Sequence, residues 1–234
     1  MIACAGEVLR SIIQSISPLL QQLETEAMIS QLLKDAFEET NPQSEMAQEQ
    51  AISVCRVLAD KYNAEGRERL PESLRPIVEN LNVLESLLAP STSGDAHNFT
   101  NTTGLVVPFG MRRLRVVELI GSLLNVDNRE INDAILEKGL FQHLIDAFFL
   151  YQFNNILQTA VMAMLNQVFR SDNRDYVCRV LNGTDLIKRV CTGLQGDLQL
   201  QKTEYGGTLS SFYLLSNECG LERKCPRCMG SIAF

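Results

Sequence analysis

The chain has 234 residues, 45% hydrophobic and 21% charged, which allows a substantial core and excludes an intrinsically disordered chain. A formal charge of −7 and a pI near 5.0 argue against a general nucleic-acid or anionic-membrane partner, because phosphate binding needs clustered Lys and Arg. No uninterrupted apolar run approaches the roughly 20 residues that span a bilayer, and Glu7 and Arg10 sit where a secretory signal would be apolar, so no membrane insertion is expected and the location is expected to be cytoplasmic, with the nucleus as a second compartment.

Apolar residues at helical spacing predict helices at about 5–22, 28–38, 45–62, 72–89, 111–125, 130–138, 140–151, 153–170, 173–181, 184–195 and 204–217. No alternating strand pattern competes with them. Pro42, Pro71, Pro76 and Pro90 punctuate the first half as helix starts or ends. The Ser/Thr/Gly/Asn-rich stretch that follows reads as a mobile loop at 91–106. Beyond it, Pro108 opens a stripe of Leu114, Val117, Ile120, Gly121 and Leu124. Asp127 is the expected cap of a short helix with Ile131, Ile135 and Leu136, which Gly139 ends by tolerating a left-handed turn. Leu140, Phe141, Leu144, Ile145, Phe148 and Phe149 follow. The clearest stripe comes next: Phe153, Ile156, Leu157, Ala160, Val161, Met164, Leu165 and Val168.

Short helix, helix, long helix is the unit of an armadillo-type solenoid, and a period should recur. The pattern of two apolar, two polar and two apolar residues appears at Met28-Ile29-Ser30-Gln31-Leu32-Leu33, at Leu140-Phe141-Gln142-His143-Leu144-Ile145 and at Leu186-Ile187-Lys188-Arg189-Val190-Cys191. The last two begin 46 residues apart, at 140 and 186, within the roughly 40–47 residues of such repeats. The expected fold class is therefore all-α, an armadillo/HEAT-like helical-repeat superhelix (α-solenoid). A single helical-repeat domain is expected over 1–218, followed by an unstructured tail at 219–234.

Catalytic chemistry is sparse. The two histidines, His97 and His143, have no nucleophile-elbow or Cys-His signature beside them, and no phosphate loop with its lysine is present. No catalytic residue and no cofactor are expected. Seven cysteines, most of them within helical patterns, read as reduced thiols, which makes the sequons at Asn98, Asn101 and Asn182 chance matches. Cys219, Cys225 and Cys228 include a Cys-Pro-Arg-Cys pair spaced for zinc, but the second half of a site is missing. No metal site is assigned; zinc on these three thiols is the alternative. Two features suit a binding protein. Arg112, Arg113 and Arg115 open a helix, as a solvated face or as a contact for an anion or acidic partner. Asn154, Asn155, Gln158, Asn166 and Gln167 form an amide-rich face suited to an extended peptide, or else an ordinary wet surface.

Two motifs in order, Pro108-Phe109-Gly110-Met111-Arg112-Arg113-Leu114-Arg115-Val116-Val117-Glu118-Leu119-Ile120 and Phe148-Phe149-Leu150-Tyr151-Gln152-Phe153-Asn154-Asn155-Ile156-Leu157-Gln158, resemble the SAPS-domain family, the Sit4-associated regulatory subunits of protein phosphatase 6. The resemblance is strong over about 108–170 and weaker back to Met28 and forward to about Asn217. Phe109 stands where the family has Leu, and Phe153 where it has Trp, which keeps an aromatic ring and removes its N–H. The resemblance implies a non-catalytic scaffold that binds a type 6 (Sit4-like) serine/threonine phosphatase catalytic subunit and modulates its substrate choice. Arg113, Tyr151, Asn154 and Asn155 are the partner-binding candidates it implies. The alternative is a helical-repeat adaptor for some other peptide or protein.

Overall fold

The structure, a computed structural model, describes residues 2–15, 18–37, 44–62, 69–89, 99–101, 104–106 and 108–192. In chain order these form α1 (Ile2–Gln14), α2 (Pro18–Leu23), α3 (Glu26–Phe37), α4 (Ser44–Lys61), a 3-10 turn (Glu72–Leu74), α5 (Arg75–Glu79) and α6 (Leu81–Leu88). A short antiparallel pair, β1 (Phe99–Asn101) with β2 (Gly104–Val106), precedes α7 (Met111–Asn125), α8 (Arg129–Glu137), α9 (Leu140–Leu150), α10 (Asn155–Arg170) and α11 (Arg174–Asn182). A last described helix, α12, covers residues 186–192.

The fold is all-α apart from this hairpin, and its helices recur in threes. The long members are α1, α4, α7 and α10, of 13, 18, 15 and 16 residues. Each is followed by a short one, α2, α5, α8 or α11, of 6, 5, 9 or 9 residues. The third member is α3, α6, α9 or α12, and three of these four carry the repeated six-residue pattern. Two long helices, α1 and α4, begin at residues 2 and 44, again within the roughly 40–47 residues of an armadillo-type period. The pattern itself repeats only loosely: Ile29 and Leu33 are buried in α3, whereas Leu186 and Val190, one position earlier in the pattern, are buried in α12.

The chain divides into two compact units, Met1–Lys138 and Gly139–Phe234. In the first unit α4 is central, packing against α1, α3 and α7. Its Ile52, Cys55, Leu58 and Ala59 are fully buried. Gly6 makes the approach of α1 possible, since a Cβ there would lie 2.4 Å from Gln50 Oε1 and 3.0 Å from Gln50 Cβ. Arg10 then donates to the same Oε1 at 2.8 Å. In the second unit α10 packs against both α9 and α11, burying Leu157, Val161, Met164, Leu165, Val168 and Phe169.

Several expected elements differ. The helix expected over 5–22 is two helices, because Pro18 has no N–H to continue α1. The helix expected over 72–89 breaks at Asn80, whose side-chain amide donates to Pro76 O at 2.8 Å and competes with the backbone ladder. Part of the loop expected at 91–106 is the hairpin, in register Phe99↔Val106 and Asn101↔Gly104. Asn128, not Asp127, caps α8, accepting from the N–H groups of Glu130 and Ile131 at 2.9 and 3.4 Å, while Asp127 takes a positive φ of 54°. Gly139 has the expected left-handed conformation, with φ 67°. The helix expected over 204–217 and the tail from Cys219 lie outside the described residues.

Candidate partner-binding site

The three arginines that open α7 are engaged within the first unit. Arg112 crosses to α4, donating to Gln48 Oε1 at 2.9 Å and pairing with Glu45 at 3.6 Å. Arg115 pairs with Glu118 at 2.8 Å, and Glu118 also receives Arg56 of α4 at 2.7 Å. Arg113 is 8% exposed and folds back on the segment before its own helix, donating to Phe109 O at 2.6 Å and Pro108 O at 2.8 Å. Its guanidinium also lies 4.9 Å from the centre of the Phe109 ring. What looked in sequence like a cationic face is a set of intramolecular ties. Gly110, at the N-cap of α7 with φ 80°, supplies the turn that permits them.

The second motif lies in the second unit, at the corner between α9 and α10. Tyr151 N–H closes α9 by donating to Ala147 O at 2.9 Å, and Asn154 N–H donates to Tyr151 O at 2.9 Å. Asn154 is the N-cap of α10, its Oδ1 accepting from Leu157 N–H at 3.1 Å. Gln158 is only 8% exposed; its Nε2 donates to Phe148 O at 2.6 Å and to Tyr151 O at 3.3 Å. The amide-rich face expected of α10 is therefore divided: Asn154 caps, Gln158 is buried, and Asn155 is exposed. Asn173, which accepts from Tyr176 N–H at 3.1 Å, caps α11 in the same way.

Two residues assigned to the buried stripe are instead on the outside of this corner. Phe153 is 70% and Ile156 64% exposed, alongside Leu150 at 64%. Phe153 precedes α10, and Ile156, although in the same first turn as buried Leu157, lies on the face of exposed Thr159 and Ala163. Residues 147–169 contain no Asp, Glu, Lys or Arg, in a chain that is 21% charged. An exposed surface rich in aromatic and aliphatic groups and depleted of charge has the composition of an interface centre. The half-buried Tyr151 and the exposed Asn155 sit beside these groups in sequence.

Around this corner the second unit is held by a polar clasp. Gln142 of α9 donates to Asp185 Oδ1 at 2.8 Å and to Asp146 Oδ1 at 3.1 Å, and its Oε1 accepts from Asp185 N–H at 3.2 Å. Arg189 of α12 donates to Asp185 Oδ2 at 2.7 Å, pairs with Asp146, and lies 5.5 Å from the centre of the Phe149 ring. Burial works to raise the Asp185 carboxyl, but hydrogen bonds from Gln142 and Arg189 and the guanidinium charge outweigh it, leaving the pKa below its ordinary value. Elsewhere, burial pushes the Cys55 thiol up to about 12, so it stays protonated as a packing group. Cys4, Cys55, Cys178 and Cys191 are free thiols. Among the described residues no cluster of three His, Cys, Asp or Glu could hold a metal, and no helix is long and apolar enough to cross a membrane. Cys219, Cys225 and Cys228 lie outside those residues.

Fold and corner together give a helical-repeat array with an exposed apolar corner in its second unit. No protein-family model matches the chain, and no solved structure does. Curated relatives do. The chain is 30% identical over 156 residues to serine/threonine-protein phosphatase 6 regulatory subunit 3 of Gallus gallus, an alignment covering 62% of this chain and 18% of that protein. It is 32% identical over 161 residues to regulatory subunit 3-B of Xenopus laevis, covering 62% and 18%. For regulatory subunit 3-A of the same organism the figures are 30% over 171 residues, covering 66% and 20%. The chain spans about a fifth of the length of these relatives.

Proposed function

We propose that this chain is a SAPS-type, non-catalytic regulatory subunit that binds a type 6 (Sit4-like) serine/threonine phosphatase catalytic subunit and modulates its choice of substrates. The observation that carries the reading is the similarity to three relatives named as phosphatase 6 regulatory subunits, at 30 to 32% identity. The helical-repeat fold supports it, because a stacked array offers a wide surface to a folded partner. The contact on this reading is the α9–α10 corner. Leu150, Phe153 and Ile156 supply apolar anchors, Tyr151 and Asn155 flank them, and Asn154 caps the helix that carries them; Arg113, in the first unit, holds the turn before α7. A cytoplasmic location, extending to the nucleus, goes with this role.

The test is direct binding of purified type 6 catalytic subunit to the full chain. Wild type is expected to bind, and Phe153→Asp, a change at an exposed position, is expected to weaken binding by roughly 30-fold or more, as for a residue at an interface centre. Wild type that retains no catalytic subunit overturns the reading. Wild-type affinity in the Phe153→Asp protein moves the contact away from the corner.

A further inference from the structure

A contact surface at a helix corner works only if the corner keeps its shape, and in this chain a buried amide closes it. We infer that Gln158 is the positioning residue of the α9–α10 corner, fixing the turn that presents Leu150, Phe153 and Ile156 to the partner. This rests on the reading of that corner as the phosphatase contact.

The last carbonyls of any α-helix lack a partner from the next turn. At the end of α9, Ala147 O is satisfied by the N–H of Tyr151, but Phe148 O is reached by Gln158 from the first turns of α10. The same Nε2 also reaches Tyr151 O, which receives Asn154 N–H as well. Gln158 thus uses both hydrogens of its amide nitrogen on two carbonyls three residues apart. It does so from a position flanked by buried Leu157 and one turn from buried Val161, where helical periodicity would otherwise favour an apolar residue. A buried amide is costly unless paired, so the pairing fixes the conformation of residues 149–157, which lie between Phe148 and Gln158. Leu150, Phe153 and Ile156 are all carried within that segment.

The experiment is a double-mutant cycle with the full chain and purified type 6 catalytic subunit. Gln158→Met keeps length and volume while removing both donors, and is expected to weaken binding by about tenfold with helicity retained. In a Phe153→Ala background the same change is expected to cost about threefold or less, since only Leu150 and Ile156 are left to position. A tenfold loss that persists in that background, or no loss in either, overturns the inference. Gln158→Asn, which keeps the amide but falls one methylene short, runs the same cycle if the Met protein fails to fold. Amide hydrogen exchange of the unbound protein gives a readout that needs no phosphatase. Gln158→Met is expected to accelerate exchange at Tyr151, Asn154 and Leu157 and to leave Tyr176 unchanged. Unaltered exchange at the corner overturns the positioning role even where phosphatase binds, and wild type that fails to bind overturns the functional reading alone.

Discussion

Replacing Arg113 by alanine separates two accounts of a residue that the family resemblance marks as a partner contact. In the structure the guanidinium is buried, donates to Phe109 O at 2.6 Å and Pro108 O at 2.8 Å, and covers the Phe109 ring. A hydrogen bond from a charged donor contributes about 1.5–3 kcal/mol net, and a ring contact of this kind about 0.5–1 kcal/mol. Water reaching the freed carbonyls offsets part of this, leaving a loss of about 3 kcal/mol. For a chain of this size that lowers the melting temperature by roughly 6–12 °C. Arg113→Lys retains the charge but not the forked geometry that spans two carbonyls, and should fall about midway. Differential scanning calorimetry reads both variants, and titration with the catalytic subunit below the new melting temperature reads any effect on affinity. The reasoning is refuted if Arg113→Ala melts within about 2 °C of wild type, a shift too small for two lost charged hydrogen bonds. A large loss of affinity in that same protein would assign the guanidinium to the partner instead of to the loop.

Two further outcomes follow from the second unit. Val161 is 1% exposed in the middle of α10, where a carboxylate would be taken out of water, so Val161→Asp is expected to lose cooperative thermal unfolding and α-helical circular dichroism; a wild-type melt would show that this face is not buried. Because the Asp185 carboxyl is held below its ordinary value, the stabilisation it provides is full above the unfolded carboxylate range and is lost as pH falls through the lower folded value. An NMR titration should show Asp185 ionised below the usual carboxylate midpoint and shifted upward in Arg189→Ala; an unmoved midpoint would remove Arg189 from the clasp.

The long, periodic helices were legible in sequence because burial on one side imposes a period that no local accident imitates. Helices α3, α4, α7, α8, α9, α10 and α11 fall within two residues of their expected limits at both ends. Breaks inside continuous periods were harder to see. At Asn80 a side chain competes for a backbone carbonyl, and such competition leaves no gap in hydrophobicity. The site was less legible for the same reason: a sequence shows which residues are polar, not which polar groups are satisfied internally. Arg113, Asn154 and Gln158 all read as surface groups and are all engaged with the backbone nearby. Phe153 and Ile156 erred in the opposite direction: Phe153 lies before α10 begins, and Ile156 is on the face of exposed Thr159 and Ala163 instead of that of buried Leu157. A signal for the corner was present in the 23 consecutive uncharged residues from Ala147 to Phe169, which no core of this width requires on every face.

The stacking of α4 between α1 and α7 also determines how the first unit bears mechanical load. Arg10 reaches Gln50, Arg56 reaches Glu118 and Arg112 reaches Gln48, so each long helix is riveted to the next by side chains and not only by the loops that link them in sequence. Tension applied at α1 passes through α4 into α7 along this direct route, bypassing the intervening short helices. The first unit is braced as a girder is, by cross-ties between its long members.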